Sequence, residues 1–275
     1  MSIKVKDADS NDKYYETVGD GSSSNPFQSV VPDFKLAHAI KSISDTYSDT
    51  VDIWEKGKVL NKFGYNPDLD TGVAETIWNQ GGNETLKTAN DIDIIVSTNA
   101  GDTQDVVIEG HTISGSDLTF VTQTATLNGT TNVSLTTPLA RVTRVYNDSG
   151  TDFAGDITVE DNGTSVHAKV SGTAGQNQTK KCQTATSSVD YWIITSLSGG
   201  VVGSVSATVQ FELQVKLSGK VWRTLYDFNS SNYTRVDLST YIIVPPNSDI
   251  RIIGTSGTNN TEAVAAIQGY LAIVT

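Results

Sequence analysis

The sequence predicts a mainly β protein: two antiparallel β-sandwich domains, jelly-roll or Ig-like, preceded by an extended N-terminal arm and a short helix. Three observations point there. Apolar residues recur at every second position, most clearly at Val205, Ala207, Val209, Phe211, Leu213 and Val215, as in a strand with one buried face. Asn128-Gly129 and Asn162-Gly163 stand between such segments, and both residue types tolerate the positive φ that a tight hairpin turn demands. Twenty-three glycines, among many Asn, Ser and Thr, punctuate the chain, which suits short strands with frequent turns better than a helical bundle.

At 275 residues the chain is long enough to bury two cores. Nineteen basic against 31 acidic residues give a formal charge of −12. That balance opposes approach to phosphate backbones and anionic membranes, so neither nucleic acid nor membrane is an expected partner. Cys182 is the single cysteine and cannot form an intrachain disulfide; it reads as a buried or incidental thiol. No signal-type apolar core opens the chain and no run reaches membrane-spanning length. Asn-x-Ser/Thr triplets recur from Asn83 to Asn259, and without a signal peptide they read as composition rather than glycosylation.

Residues 1–32 form the arm, polar and turn-rich, with too little apolar surface to fold alone. Its candidates for gripping a partner are Ile3, Val5, Tyr14, Tyr15 and Phe27; a disordered tail is the alternative. Residues 33–82 read as a helix and an irregular connection. Asp33 caps a helix whose apolar stripe is Phe34, Ala37, Ile40, Ile43 and Tyr47. Trp54, Phe63, Tyr65 and Trp78 anchor the connection, which carries a second short helix over Val73–Trp78. Asn66 to Gly72 superficially resembles an acidic calcium loop but lacks the downstream bidentate glutamate.

Residues 83–175 make the first sandwich. Ile92, Ile94 and Val96 alternate; a hairpin through Asn128-Gly129 joins a strand at Leu118–Leu127 to one at Val133–Leu135, and Leu139–Val145 returns. Residues 172–181 read as a linker, and 176–275 as the second sandwich, with a hairpin turn at Ser218-Gly219.

Chemistry-bearing patterns are sparse. No Gly-x-Ser-x-Gly elbow occurs, and His38, His111 and His167 leave few bases. Asp152, Asp156 and Glu160 could pair as carboxylates but read as polar turn residues. The expectation is a non-enzyme with no catalytic, cofactor or metal residues.

Thr126 to Val133 (TLNGTTNV), Arg141 to Val145 (RVTRV) and Gly155 to Val159 (GDITV) resemble a module of virion structural proteins of marine-type, podovirus-like tailed bacteriophages. Ile77 to Gly82, Val221 to Asn229 and Ile242 to Val274 resemble that family's entry segment and second β-module. The resemblance spans roughly residues 74–275 and implies particle proteins rather than an active site. Its expected partners are the major capsid protein and further copies of the chain, as a homotrimer, with the protein made in the host cytoplasm and residing in the virion. Two roles follow from it: a decoration or cement protein on the head, or a tail or fibre component that meets the host surface through Tyr191, Trp192, Trp222 and Tyr233. A carbohydrate-binding sandwich is the reading from a different class, with a surface glycan as partner.

Overall fold

The computed structural model describes residues 2–6, 12–16, 59–203 and 207–273. The chain divides into two compact units, residues 1–52 and 53–275. In the first, β1 (Ser2–Lys6) and β2 (Asp12–Glu16) pair antiparallel, with Ser2 opposite Glu16 and Ile3 opposite Tyr15. Residues 2–6 and 12–16 of the arm thus form a two-stranded β-ribbon. Ile3, Val5, Tyr14 and Tyr15 all belong to it, and β-branched and aromatic residues favour such pairing. Phe27, the helix expected from Asp33, and His38 lie outside the described residues.

The second unit opens with β3 (Val59–Leu69) and β4 (Ala74–Thr76). Both correct the expected irregular connection and its short helix over Val73–Trp78. β3 hides its alternation because three of its buried or half-buried positions are Lys62, Gly64 and Asn66. Gly64 is required there: a Cβ would stand 2.1 Å from the Ile77 carbonyl oxygen. Helix is excluded at β4 because its backbone bonds go elsewhere, with Glu75 as the organiser. The Glu75 carboxylate accepts from the amides of Asp70 (3.0 Å) and Gly82 (2.8 Å) and from Asn66 Nδ2 (3.2 Å).

Next come β5 (Ile92–Ser97), β6 (Asp105–Ser114), β7 (Asp117–Thr126), β8 (Val133–Leu139), β9 (Arg141–Asn147), β10 (Ile157–Asp161) and β11 (Ser165–Val170). They form two antiparallel sheets, in the orders β11-β10-β5-β8 and β7-β6-β9. Between them lies one core, built on Ile92, Ile95, Ile108, Leu139, Val142, Ile157 and Val159. Ile95, not Ile94, reaches it, because the register of β5 shifts against both neighbours around Asp93. One extra residue in a strand turns every later side chain to the other face.

The turn at Asn128-Gly129 exists, with Gly129 at φ 56° and the Thr131 amide donating to the Asn128 carbonyl at 3.0 Å. It is not the turn of a hairpin. β7 pairs with β6 through the tight turn at Gly115, whereas β8 pairs with β5, so Asn128-Gly129 carries the chain from one sheet to the other. The Gly129 amide and carbonyl are taken by Asp102 (2.8 Å) and Ser97 (3.2 Å), which pins the crossing. Asn162-Gly163 does close a hairpin: φ is 44° and 72°, and the Thr164 amide donates to the Asp161 carbonyl at 2.9 Å.

The remaining strands are β12 (Gln183–Ala185), β13 (Asp190–Val201), β14 (Val209–Leu217), β15 (Arg223–Ser230), β16 (Tyr233–Val244), β17 (Ser248–Ser256) and β18 (Thr261–Ile273). One sheet runs β12-β17-β14-β15 with β4 also on β17; the other runs β16-β13-β18-β3. A second core includes Leu60, Leu69, Ile77, Ile194, Phe211, Ile252 and Ile267. β14 is central, as its alternation requires: Val209, Phe211 and Leu213 are fully buried while Gln210 faces out. The Ser218-Gly219 turn closes β14 onto β15, with the Lys220 amide on the Leu217 carbonyl at 2.9 Å.

The stretch expected as a linker is held by both halves at its end. The Thr179 amide donates to the Val145 carbonyl (2.9 Å), the Asn79 amide to the Lys180 carbonyl (3.1 Å), and the Cys182 amide to the Ile77 carbonyl (2.9 Å).

Candidate functional site

Where the two cores meet, the contact is ionic rather than apolar. Arg141 opens β9, Asp249 lies at the start of β17, and both side chains are buried. The guanidinium grips the carboxylate with two parallel bonds, Nε to Oδ1 at 2.6 Å and Nη2 to Oδ2 at 3.0 Å. Nη1 donates to the carbonyls of Lys87 (2.5 Å) and Ala140 (2.8 Å). Bidentate geometry and partners for four of the five guanidinium donors are what make this buried pair tolerable.

A second knot surrounds Glu84. Its carboxylate accepts from Lys181 Nζ at 2.7 Å and Gln183 Nε2 at 2.5 Å, and His167 Nδ1 lies 3.3 Å away. The other two Lys181 protons go to the carbonyls of Val142 (2.9 Å) and His167 (2.7 Å). Burial alone would raise the Glu84 carboxyl; the Lys181 ammonium and the donated hydrogen bonds outweigh it and hold the group below its ordinary value. Asp161 pairs with Lys87 and accepts from Thr164 Oγ1 (2.8 Å) and the Ser165 amide (2.5 Å). Burial opposes its ionisation, and these donors still carry it well below the carboxylate range. Five charged or amide side chains, Arg141, Asp249, Glu84, Lys181 and Gln183, thus hold one core against the other.

Beside this seam opens a cavity of about 680 Å³, lined by residues of β3, β6, β7, β9, β12, β13 and β18. Lys62 reaches it from β3 and donates to the Thr143 carbonyl at 3.0 Å. Burial pushes its amine down to about 8, partly opposed by the nearby Glu109 carboxylate. His111, on β6, is 3% exposed. Its Nδ1 has no hydrogen-bond partner, and its ring meets Phe120 edge-on at 5.5 Å. Burial first, then the Arg141 and Lys62 charges, push the imidazole down to about 3. Arg144 borders the cavity with Nη2 on Gln178 Oε1 at 3.0 Å and its guanidinium 4.5 Å above the Tyr146 ring. A shallower depression of about 450 Å³ shares Phe63, Arg144 and Gln178 with the first and ends at Lys180.

The residues singled out by sequence are dispersed. Asp152 accepts from the Gly175 amide and Asn177 Nδ2, Asp156 from the Gly172 amide and Lys169, and Glu160 from Thr158 Oγ1; each serves its own turn or strand. Cys182 is fully buried, and burial pushes its thiol up. Among the described residues no cluster of His, Cys, Asp or Glu is arranged to hold a metal ion. Of the four aromatics expected at the surface, Tyr233 alone is exposed. Trp192 packs on the second core and donates to the Ala185 carbonyl at 3.2 Å, and Trp222 lies under Arg251 at 4.1 Å. Sequence reasoning missed Tyr241 and Tyr270, which are exposed, and every side chain of the cavity except Phe63, His111, Phe120 and Trp192. Lys62 carried no local motif by which to find it, and the RVTRV segment that holds Arg144 pointed to a particle family rather than to a cavity.

No protein-family model and no curated protein sequence matches the chain. Two solved structures show a remote likeness. That of the infectious bursal disease virus Gt strain is 9% identical over 84% of this chain and 77% of that one, with a TM-score of 0.19. The infectious bursal disease virus VP2 subviral particle is 10% identical over 88% and 78%, again with a TM-score of 0.19. Backbones that superpose so poorly do not define a common fold.

Proposed function

We propose that this chain is a non-enzymatic structural protein of a bacteriophage virion, acting as a decoration or cement protein on the outside of the head. Its body is two β-sandwich domains, about 83–175 and 176–275, with β3 and β4 added to the second. The observation that carries this reading is the Arg141–Asp249 fork. Arg141 opens the RVTRV segment and Asp249 lies in the PPNSDIRII segment, two of the stretches that resemble phage virion proteins. Residues of those stretches fix how the two cores meet, a role that suits a structural component of a particle. The arm residues Ile3, Val5, Tyr14, Tyr15 and Phe27 provide the grip on the major capsid protein. A two-stranded ribbon such as β1–β2 is marginal in water on its own, so docking on a capsid surface stabilises it. Several weak arms acting together, as in a homotrimer, hold far more tightly than one.

A tail or fibre protein contacting the host is the second reading. It is favoured by an apolar row across the outer face of β16-β13-β18-β3, where Ile243, Ile193, Tyr270 and Val59 stand in register, three of them more than half exposed. Immunogold labelling of intact virions with antibody to this chain separates the two. Label over the whole head supports decoration, label at the tail supports the second reading, and particles without label overturn both.

A further inference from the structure

We infer that the cavity beside the ionic seam, continued by the shallower depression, is a binding site for a short acidic saccharide, one whose sugar rings carry carboxylates. The inference goes beyond virion attachment and does not depend on it.

The first support is a cationic line in an acidic protein. Lys62, Arg144 and Lys180 follow one another along the two connected depressions, although the chain as a whole carries −12. Lys181 is not part of this line, because its three protons are consumed within the seam. The Lys62 ammonium has a single protein acceptor, the Thr143 carbonyl, and so keeps donors for a ligand. Burial lowers its pKa to about 8, and a carboxylate placed beside it favours the charged form.

The second support is His111, which lines the same cavity and whose Nδ1 has no hydrogen-bond partner; that atom is itself closed to solvent, so a ligand meets it once the ring turns. Buried polar atoms are almost always satisfied in folded proteins. A neutral imidazole nitrogen is suited to a sugar hydroxyl, which can donate or accept. Phe63, Phe120 and Trp192 add apolar wall to the same space, the usual complement of a pyranose face.

Length and charge density choose among anions. A cavity of about 680 Å³ with an extension of about 450 Å³ is larger than a lone carboxylate or phosphate needs. Glu109 and Asp190 line the larger cavity and repel a continuous phosphate backbone, yet they accept hydroxyl protons. Carboxylates set on hydroxyl-rich rings satisfy both, the charges meeting Lys62 and Arg144 and the hydroxyls donating to Glu109 and Asp190.

The test is calorimetric titration of the full-length protein with tetragalacturonate, with neutral cellotetraose, sodium acetate and a twelve-residue oligothymidylate run in parallel. Tetragalacturonate is expected to bind at least about tenfold tighter than cellotetraose, the effect of one charge-assisted hydrogen bond. Lys62→Met and the surface variant Arg144→Gln should each weaken it by about the same factor, and Lys220→Met should not. Affinity should stay level up to about pH 8 and fall above it, since the free protein's Lys62 loses its proton there while the complex requires it. Acidic and neutral sugars binding alike, or neither binding, overturns the proposal. So does acetate matching the tetrasaccharide, preferential binding of the oligonucleotide, or both cavity variants retaining full affinity.

Discussion

At the scale of single residues, the question is what the Arg141–Asp249 pair contributes. Taking two charges out of water is costly, so a buried pair often adds little net stability compared with a well-packed apolar pair. Removing one partner is different, because it strands the other charge in the interior. Asp249→Asn leaves the buried guanidinium without its counter-ion, and the expected loss is about 3–5 kcal/mol in urea unfolding. The double variant Arg141→Met with Asp249→Leu should recover most of it. Should the double variant be no better than the single one, the fork's value lies in its hydrogen bonds to Lys87 and Ala140 rather than in charge neutralisation. Neither residue stood out in the sequence as a pair, since they are separated by 108 positions.

At the scale of elements, some strands were legible and others were hidden for identifiable reasons. In β14 the apolar residues from Val209 to Val215 are the buried ones, with Leu217 exposed at the strand's end, so alternation and burial coincide over most of the strand. β3 reads as irregular because close approach and chemistry occupy its inward positions: Gly64 lets the strand touch the backbone of Ile77 and Cys182, and Lys62 serves the cavity. A turn motif tells where the chain reverses but not which sheet receives it, and Asn128-Gly129 was misread on that account. The Asp93 register shift leaves no compositional trace at all. The cavity was illegible because its walls come from seven strands far apart in sequence, and only folding brings them together. Gly64→Ala tests the packing argument. Its Cβ would lie 2.1 Å from the Ile77 oxygen and 2.6 Å from the Cys182 nitrogen, so the strand must move, at a cost of about 3 kcal/mol. Gly150 has nothing within 4 Å of its Cβ position, and in thermal melts of both variants Gly150→Ala should be neutral or slightly stabilising.

At the scale of the whole molecule, the buried titratable groups set how stability responds to acid. His111 is neutral in the folded protein down to about pH 3, against an ordinary value of 6.5. Between those limits the unfolded chain takes up a proton that the folded one refuses, so stability falls as pH drops below 6.5. The slope is about 1.4 kcal/mol per pH unit for one such group, or about 2 kcal/mol lost by pH 5. Glu84 and Asp161 act later in the same direction. Their folded values are depressed from 4.5 and 3.8, so the stability they supply is present above those values and is lost as pH falls through the lower folded ones. Relief of repulsion in a chain of charge −12 works the other way, but it is a surface effect that 0.15 M salt largely screens. Urea unfolding in that salt should therefore show two limbs, a gentle one from pH 6.5 to about 4.5 and a steeper one below. His111→Gln should flatten the first limb and make the second shallower by the same slope down to about pH 3, leaving the part due to Glu84 and Asp161. Parallel curves for the wild type and this variant between pH 6.5 and 4.5 would mean that the His111 imidazole gains a proton as readily folded as unfolded, and that the cavity wall is wetter than its burial indicates.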